Sequence, residues 1–109
     1  MKQLDNQALA QLLAEQPTVQ VVDVRSPMEY HMLGHIPGAV LMPLQQLPNL
    51  YTELSAELPT VVVCQHGVRS VHAAEFLTGQ GFTQLYNLEA GMAEWDGAVE
   101  DGKTSAQSP

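Results

Sequence analysis

Apolar positions along the chain follow two rhythms, one suited to helices and one to buried strands. Leu9, Leu12 and Leu13 fall on one face of a first helix that Asp5 or Asn6 can cap and that ends near Gln16-Pro17. The run 19–24 is rich in β-branched residues and turns polar at Asp23 and, just beyond it, Arg25, which predicts a mostly buried strand whose end faces the loops. Ser26, Pro27 and Glu29 supply an N-cap, a proline at the first helical position and a capping box, so a short helix should run to about Leu33 and stop at Gly34. Ile36-Pro37-Gly38 reads as a turn, and residues 39–42 as a short strand closed by Pro43.

Residues 44–58 read as one or two short helices around Pro48. Thr60-Val61-Val62-Val63-Cys64 contains no polar alternation and predicts a central, parallel strand. A short loop, Gln65-His66-Gly67-Val68-Arg69, leads to a helix expected to begin at Ser70, with Val71, Ala74, Phe76 and Leu77 as its apolar positions and Gly79 or Gly81 as its end. Residues 85–88 give a last strand, and residues 90–96 a last short helix carrying Met92 and Trp95. Strands alternating with helices at this spacing predict an α/β domain with a mainly parallel sheet covered on both faces. The domain is expected over residues 1–99, with 100–109 a polar, flexible tail.

Composition narrows the function. With 45% apolar and 15% charged residues in 109, the chain has the make-up of one packed globular domain. The formal charge of −8 argues against nucleic acid and against an anionic membrane surface. An anionic substrate then needs local positive potential, which only Lys2, Arg25, Arg69 and Lys103 can supply as formal charge. No run reaches membrane-span length and no signal peptide opens the chain, so a cytoplasmic location is expected, in agreement with a single cysteine.

That cysteine is the candidate nucleophile. Cys64 stands at the carboxyl end of the strongest strand, where ligands collect in parallel α/β sheets. A loop curling from strand to helix turns backbone N–H groups inward and stabilises negative charge. Such surroundings can lower a cysteine pKa from about 8.5 to about 3.5–7.5. Gly67 lets the loop close tightly, and Arg69 adds a planar donor array suited to a sulfonate-like oxyanion. The bland alternative is an inert, buried cysteine; it leaves the Gly67 and Arg69 context without a reason.

With those residues in place, the sequence resembles the rhodanese family at three ordered sites. Cys64-Gln65-His66-Gly67-Val68-Arg69-Ser70 is similar to the family's active-site loop. Asp23-Val24-Arg25, Glu29-Tyr30 and Gly34-His35-Ile36-Pro37-Gly38-Ala39 resemble its second signature, and Leu88-Glu89-Ala90-Gly91-Met92 with Trp95 its third. One departure is Ala90, where the family usually carries glycine. The resemblance implies a rhodanese-like α/β fold, a mainly parallel sheet of about five strands with helices on both faces. It also implies a sulfurtransferase that carries a persulfide on Cys64, takes sulfur from donors such as thiosulfate and hands it to thiophilic acceptors such as cyanide. Related phosphatases and arsenate reductases place five residues between Cys and Arg, whereas four separate Cys64 from Arg69. The mercaptopyruvate branch lacks arginine at the position of Arg69, so thiosulfate is the expected donor.

Gln65, His66, Gly67, Val68 and Arg69 are accordingly the expected substrate-binding residues. Asp23, Arg25 and Glu29 are expected to form one structural ion-pair cluster, with His35 a turn histidine and Ser70 a hydroxyl under the loop. Met92 and Trp95 read as core or pocket wall. His31 and His35 are four apart, but Gly34 separates them and no further ligand completes a set; His72 does not rescue it, so no metal and no cofactor is called for. Two other readings stay open, a non-catalytic interaction module on the same fold and a relay subunit that exchanges sulfur with a partner protein.

Overall fold

The computed structural model describes residues 1–101. Five strands form one parallel sheet in the order β1-β5-β4-β2-β3, with β1 Lys2–Leu4, β2 Gln20–Asp23, β3 Val40–Leu41, β4 Thr60–Val63 and β5 Leu85–Leu88. The expected strand 60–64 is thus central, paired with β2 on one side and β5 on the other. β1 has no counterpart in the hydrophobic pattern: three residues are too few to show a period, and backbone pairing with β5 defines the strand.

Side-chain parity divides the core. Val61 and Val63 of β4 point to the face covered by α1 (Asn6–Glu15), where Leu9, Val21, Ile36 and Leu88 join them. Val62 and then Cys64 point to the other face, against Ala73, Ala74 and Leu77 of α4 (Arg69–Gly79), together with Val22, Met42 and Leu47. Helices therefore cover both faces, as expected.

The local signals explain most helix ends. Asp5 caps α1 by accepting from the Ala8 N–H at 2.7 Å. Both halves of the Ser26/Glu29 capping box are formed in α2 (Pro27–Met32), whose C-cap is Leu33, and Gly34 takes φ +86°. Residues 44–53 form a 3-10 turn, a single α-helical turn, α3 (Leu47–Leu50), and a second 3-10 turn.

Three expectations change. α4 starts at Arg69 rather than Ser70, and its buried face is Ser70, Ala73, Ala74 and Leu77, with Val71 and Phe76 only half-buried. The expected helix 90–96 is one 3-10 turn, Met92–Glu94, because Gly91 at φ +77° breaks helical backbone immediately before it. The chain is still paired at Glu100, whose backbone exchanges hydrogen bonds of 2.8 and 2.9 Å with His35, while residues 102–109 of the expected tail lie outside the described residues. No helix among the described residues is long and apolar enough to cross a membrane.

Leu77 has no exposed surface and joins α4 to the sheet. Leu77→Ala should cost about 2–5 kcal/mol, read as a lower urea midpoint with an unchanged slope.

Candidate active site

Cys64 follows the last residue of β4, so the parity of that strand sends its side chain to the α4 face, beneath the first turn of α4. Residues 65–68 turn the chain around the sulfur. The Gly67 N–H donates to Cys64 Sγ at 3.1 Å and the Ser70 N–H at 3.2 Å. The second is one of the orphan donors at a helix start, so both the local dipole and the hydrogen bond favour negative charge on sulfur. Ser70 Oγ also lies 3.2 Å from Sγ. Cys64 is only 1% exposed, but its sulfur faces two N–H donors and the Ser70 hydroxyl oxygen rather than a closed apolar shell.

A short segment after β5 supports this loop from below. The Met92 N–H donates to the Cys64 carbonyl at 2.8 Å and the Ala93 N–H to the Gln65 carbonyl at 2.9 Å. The approach is close enough to demand two glycines. Gly67 has φ +86°, and a Cβ there would lie 2.1 Å from the Glu89 carbonyl oxygen; Gly91 has φ +77°, and its Cβ would meet the Gln65 carbonyl at 2.3 Å. Ala90, the departure from the usual pattern, is exposed.

Two ion pairs, not one cluster, brace the site. Asp23 and Arg25 form a buried pair at 2.8 Å, and the remaining Arg25 donors reach the Gly34 carbonyl at 2.7 Å and Gln65 Oε1 at 2.8 Å. This satisfies the guanidinium in the interior and anchors the first loop residue. Glu29 was expected with them but pairs instead with Arg69, in a two-point contact of 2.8 and 2.7 Å. The reason is tertiary: α2 places its first turn beside the start of α4. Hydrogen bonds from the Arg69 guanidinium hold the Glu29 carboxyl down at about 2, against the opposing effect of burial. The same contact raises the Arg69 pKa, with the charge of Cys64 among the lesser contributors.

The other expected residues separate by exposure. His66 is exposed and Val68 is 64% exposed, both at the outer rim of the loop. His35 is buried, stacked on Tyr30 at 3.6 Å between ring centres, with its ring nitrogens facing the Tyr30 carbonyl at 2.9 Å and Glu100 at 3.3 Å. Met92 belongs to the core and Trp95 packs half-buried against it. Sequence reasoning missed Asn87, whose side chain meets both Ser70 and the Gly67 carbonyl. A lone polar residue among Leu85, Tyr86 and Leu88 was the signal available. A cavity of ≈ 780 Å³, lined by Leu13, Ile36, Val40 and Trp95 among others, does not include the Cys64 loop.

Known proteins place this arrangement. Residues 5–98 match the model of the Rhodanese-like domain. A thiosulfate sulfurtransferase GlpE of Pseudomonas syringae pv. syringae is 40% identical over 86 residues, 79% of each chain. Uncharacterized protein YqhL of Bacillus subtilis is 40% identical over 84 residues, covering 77% of this chain and 66% of that one. Among solved structures, a rhodanese-like domain protein from Staphylococcus aureus superposes with a TM-score of 0.83 at 35% identity, covering 93% of this chain and 98% of that one. A match over nearly the whole chain, on the fold and around the loop just described, makes this protein a member of the rhodanese-like domain family.

Proposed function

We propose that the protein is a thiosulfate sulfurtransferase that carries sulfane sulfur on Cys64 as a persulfide. The observation that carries this reading is the convergence of the Gly67 and Ser70 N–H groups on one sulfur at a strand end. An inert core cysteine needs no such donors. Relatives named thiosulfate sulfurtransferase support the choice of donor.

In the first half-reaction the Cys64 thiolate attacks the outer sulfur of thiosulfate. A new S–S bond forms, the old one breaks, and sulfite leaves with its bonding electrons. The terminal sulfur of the persulfide then bears the negative charge, close to the two loop amides. In the second half-reaction an acceptor such as cyanide attacks that terminal sulfur, and Cys64 departs as the thiolate. No second cysteine exists in the chain to displace it, so the acceptor comes from outside. A cytoplasmic, reducing setting suits this chemistry.

Arg69 enters this scheme differently from the first expectation. Two of its nitrogens face Glu29, yet its side chain stays 38% exposed, so outward N–H groups remain for departing sulfite. Gln65, His66 and Val68 complete the rim that a donor meets. The exposed Val68 also favours a second reading, in which the acceptor is a protein of a sulfur relay that covers this apolar rim residue.

Thiosulfate treatment should add one sulfur atom to the wild-type mass and none to Cys64→Ser. A folded wild type that adds no sulfur leaves the non-catalytic module as the reading. A second expectation concerns acid. Because the folded Glu29 pKa lies below its ordinary 4.5, its contribution to stability is complete above that value and disappears as pH falls through about 2. With the pair partly exposed, the loss should be about 1 kcal/mol. Urea midpoints of wild type and Glu29→Gln should therefore converge on acidification through this window.

A further inference from the structure

Asn87 is a polar residue in the interior that the proposed chemistry leaves unexplained. It is 1% exposed, and its Cα pairs with that of Val62, two residues before Cys64. Parity places its side chain on the α4 face with Cys64. Its Nδ2 donates to Gln3 Oε1 at 2.8 Å and to the Gly67 carbonyl at 3.3 Å. Its Oδ1 accepts from the Ser70 hydroxyl. The orientation of the amide follows from chemistry: the Gly67 carbonyl can only accept, so the NH₂ side must face it, and the oxygen is left for Ser70.

A hydroxyl has one hydrogen. With that hydrogen committed to Asn87, Ser70 Oγ offers the sulfur only lone pairs, and accepts the S–H of Cys64 across 3.2 Å. Ionised sulfur would leave two arrangements. Either the Ser70 lone pairs face the thiolate, or the hydroxyl turns to the sulfur and Asn87 Oδ1 is left unsatisfied in the interior. Both are costly.

We propose that Asn87 is a positioning residue that sets the proton balance of Cys64: by engaging the Ser70 hydroxyl hydrogen it makes Ser70 an acceptor toward the sulfur and restrains ionisation that the loop amides promote. A restrained thiolate is also a poorer target for oxidants. The functional meaning of this device rests on the proposed sulfur chemistry, but the device itself does not.

Other charged or titratable groups around the sulfur are Arg69 on α4, Glu29 on α2, His66 in the loop, and the Asp23–Arg25 pair reached through Gln65. Beyond Asn87, β5 and its exit offer Tyr86 on the opposite face and the exposed Glu89. All of these are retained when Asn87 alone is changed, so their effect is common to the proteins compared.

The test is the pH dependence of iodoacetamide alkylation, read by intact mass, since Cys64 is the chain's one cysteine. In Asn87→Ala, and in Asn87→Val, which keeps a strand-forming residue, the Ser70 hydroxyl is free to donate to sulfur. The alkylation midpoint should fall by about one pH unit in both, the size of one hydrogen bond to a charged group. In a Ser70→Ala background the same substitutions should leave the midpoint where Ser70→Ala alone puts it. An unmoved midpoint in the single variants, or an equal shift in the Ser70→Ala background, overturns the proposal. No sulfur donor enters the assay, so a protein that takes no sulfur from thiosulfate can still show the shift.

Discussion

Two main-chain N–H groups aimed at one sulfur constrain everything around them. For the Gly67 and Ser70 amides to reach Cys64 Sγ at 3.1 and 3.2 Å, the chain must reverse within four residues and begin a helix directly over the strand it has left. The main chain of residues 89–91 then has to lie against the loop at distances that exclude a Cβ at Gly67 and Gly91. The two glycines and the parallel neighbour β5 are consequences of that aim. A side chain at either glycine would push the loop off the sulfur before it altered any reacting group.

Around the loop, polar groups in the interior are matched to one another rather than left to solvent. Arg25 serves Asp23, the Gly34 carbonyl and Gln65 at once, so the end of β2, the turn after α2 and the start of the loop share one buried charge. Asn87 does the same from the other side for Ser70, Gly67 and Gln3. No buried side-chain nitrogen or oxygen among the described residues lacks a partner. Networks of this kind hold geometry well, because loosening any member strands the rest.

The electrostatics of the site are a balance. The chain's net charge of −8 opposes an approaching anion, and Glu29 occupies part of the fork that Arg69 could offer it. The loop amides favour negative charge on sulfur, whereas a Ser70 hydroxyl turned toward Asn87 opposes it. In the proposed sulfur transfer, a centre that has to ionise, accept a sulfur atom and release it again is served by moderate stabilisation, since a very stable thiolate is also a weak nucleophile.

The sequence by itself determined the central valine-rich strand, the capping of α1 and α2, and the loop that begins at Cys64, because each rests on interactions within a few residues. Ser26 and Glu29 form their capping box with each other, and Val61, Val62 and Val63 are buried whichever strands flank them. Only the tertiary structure decided that Glu29 meets Arg69 instead of joining the Asp23–Arg25 pair, that Lys2–Leu4 is a strand, and that Asn87 reaches the sulfur's neighbour. Those contacts join residues 40, 84 and 17 positions apart, respectively Glu29 to Arg69, Gln3 to Asn87 and Ser70 to Asn87. Periodicity and capping record only what lies within one or two turns of the chain, and long-range pairing appears when the sheet order brings β1, β5 and β4 side by side.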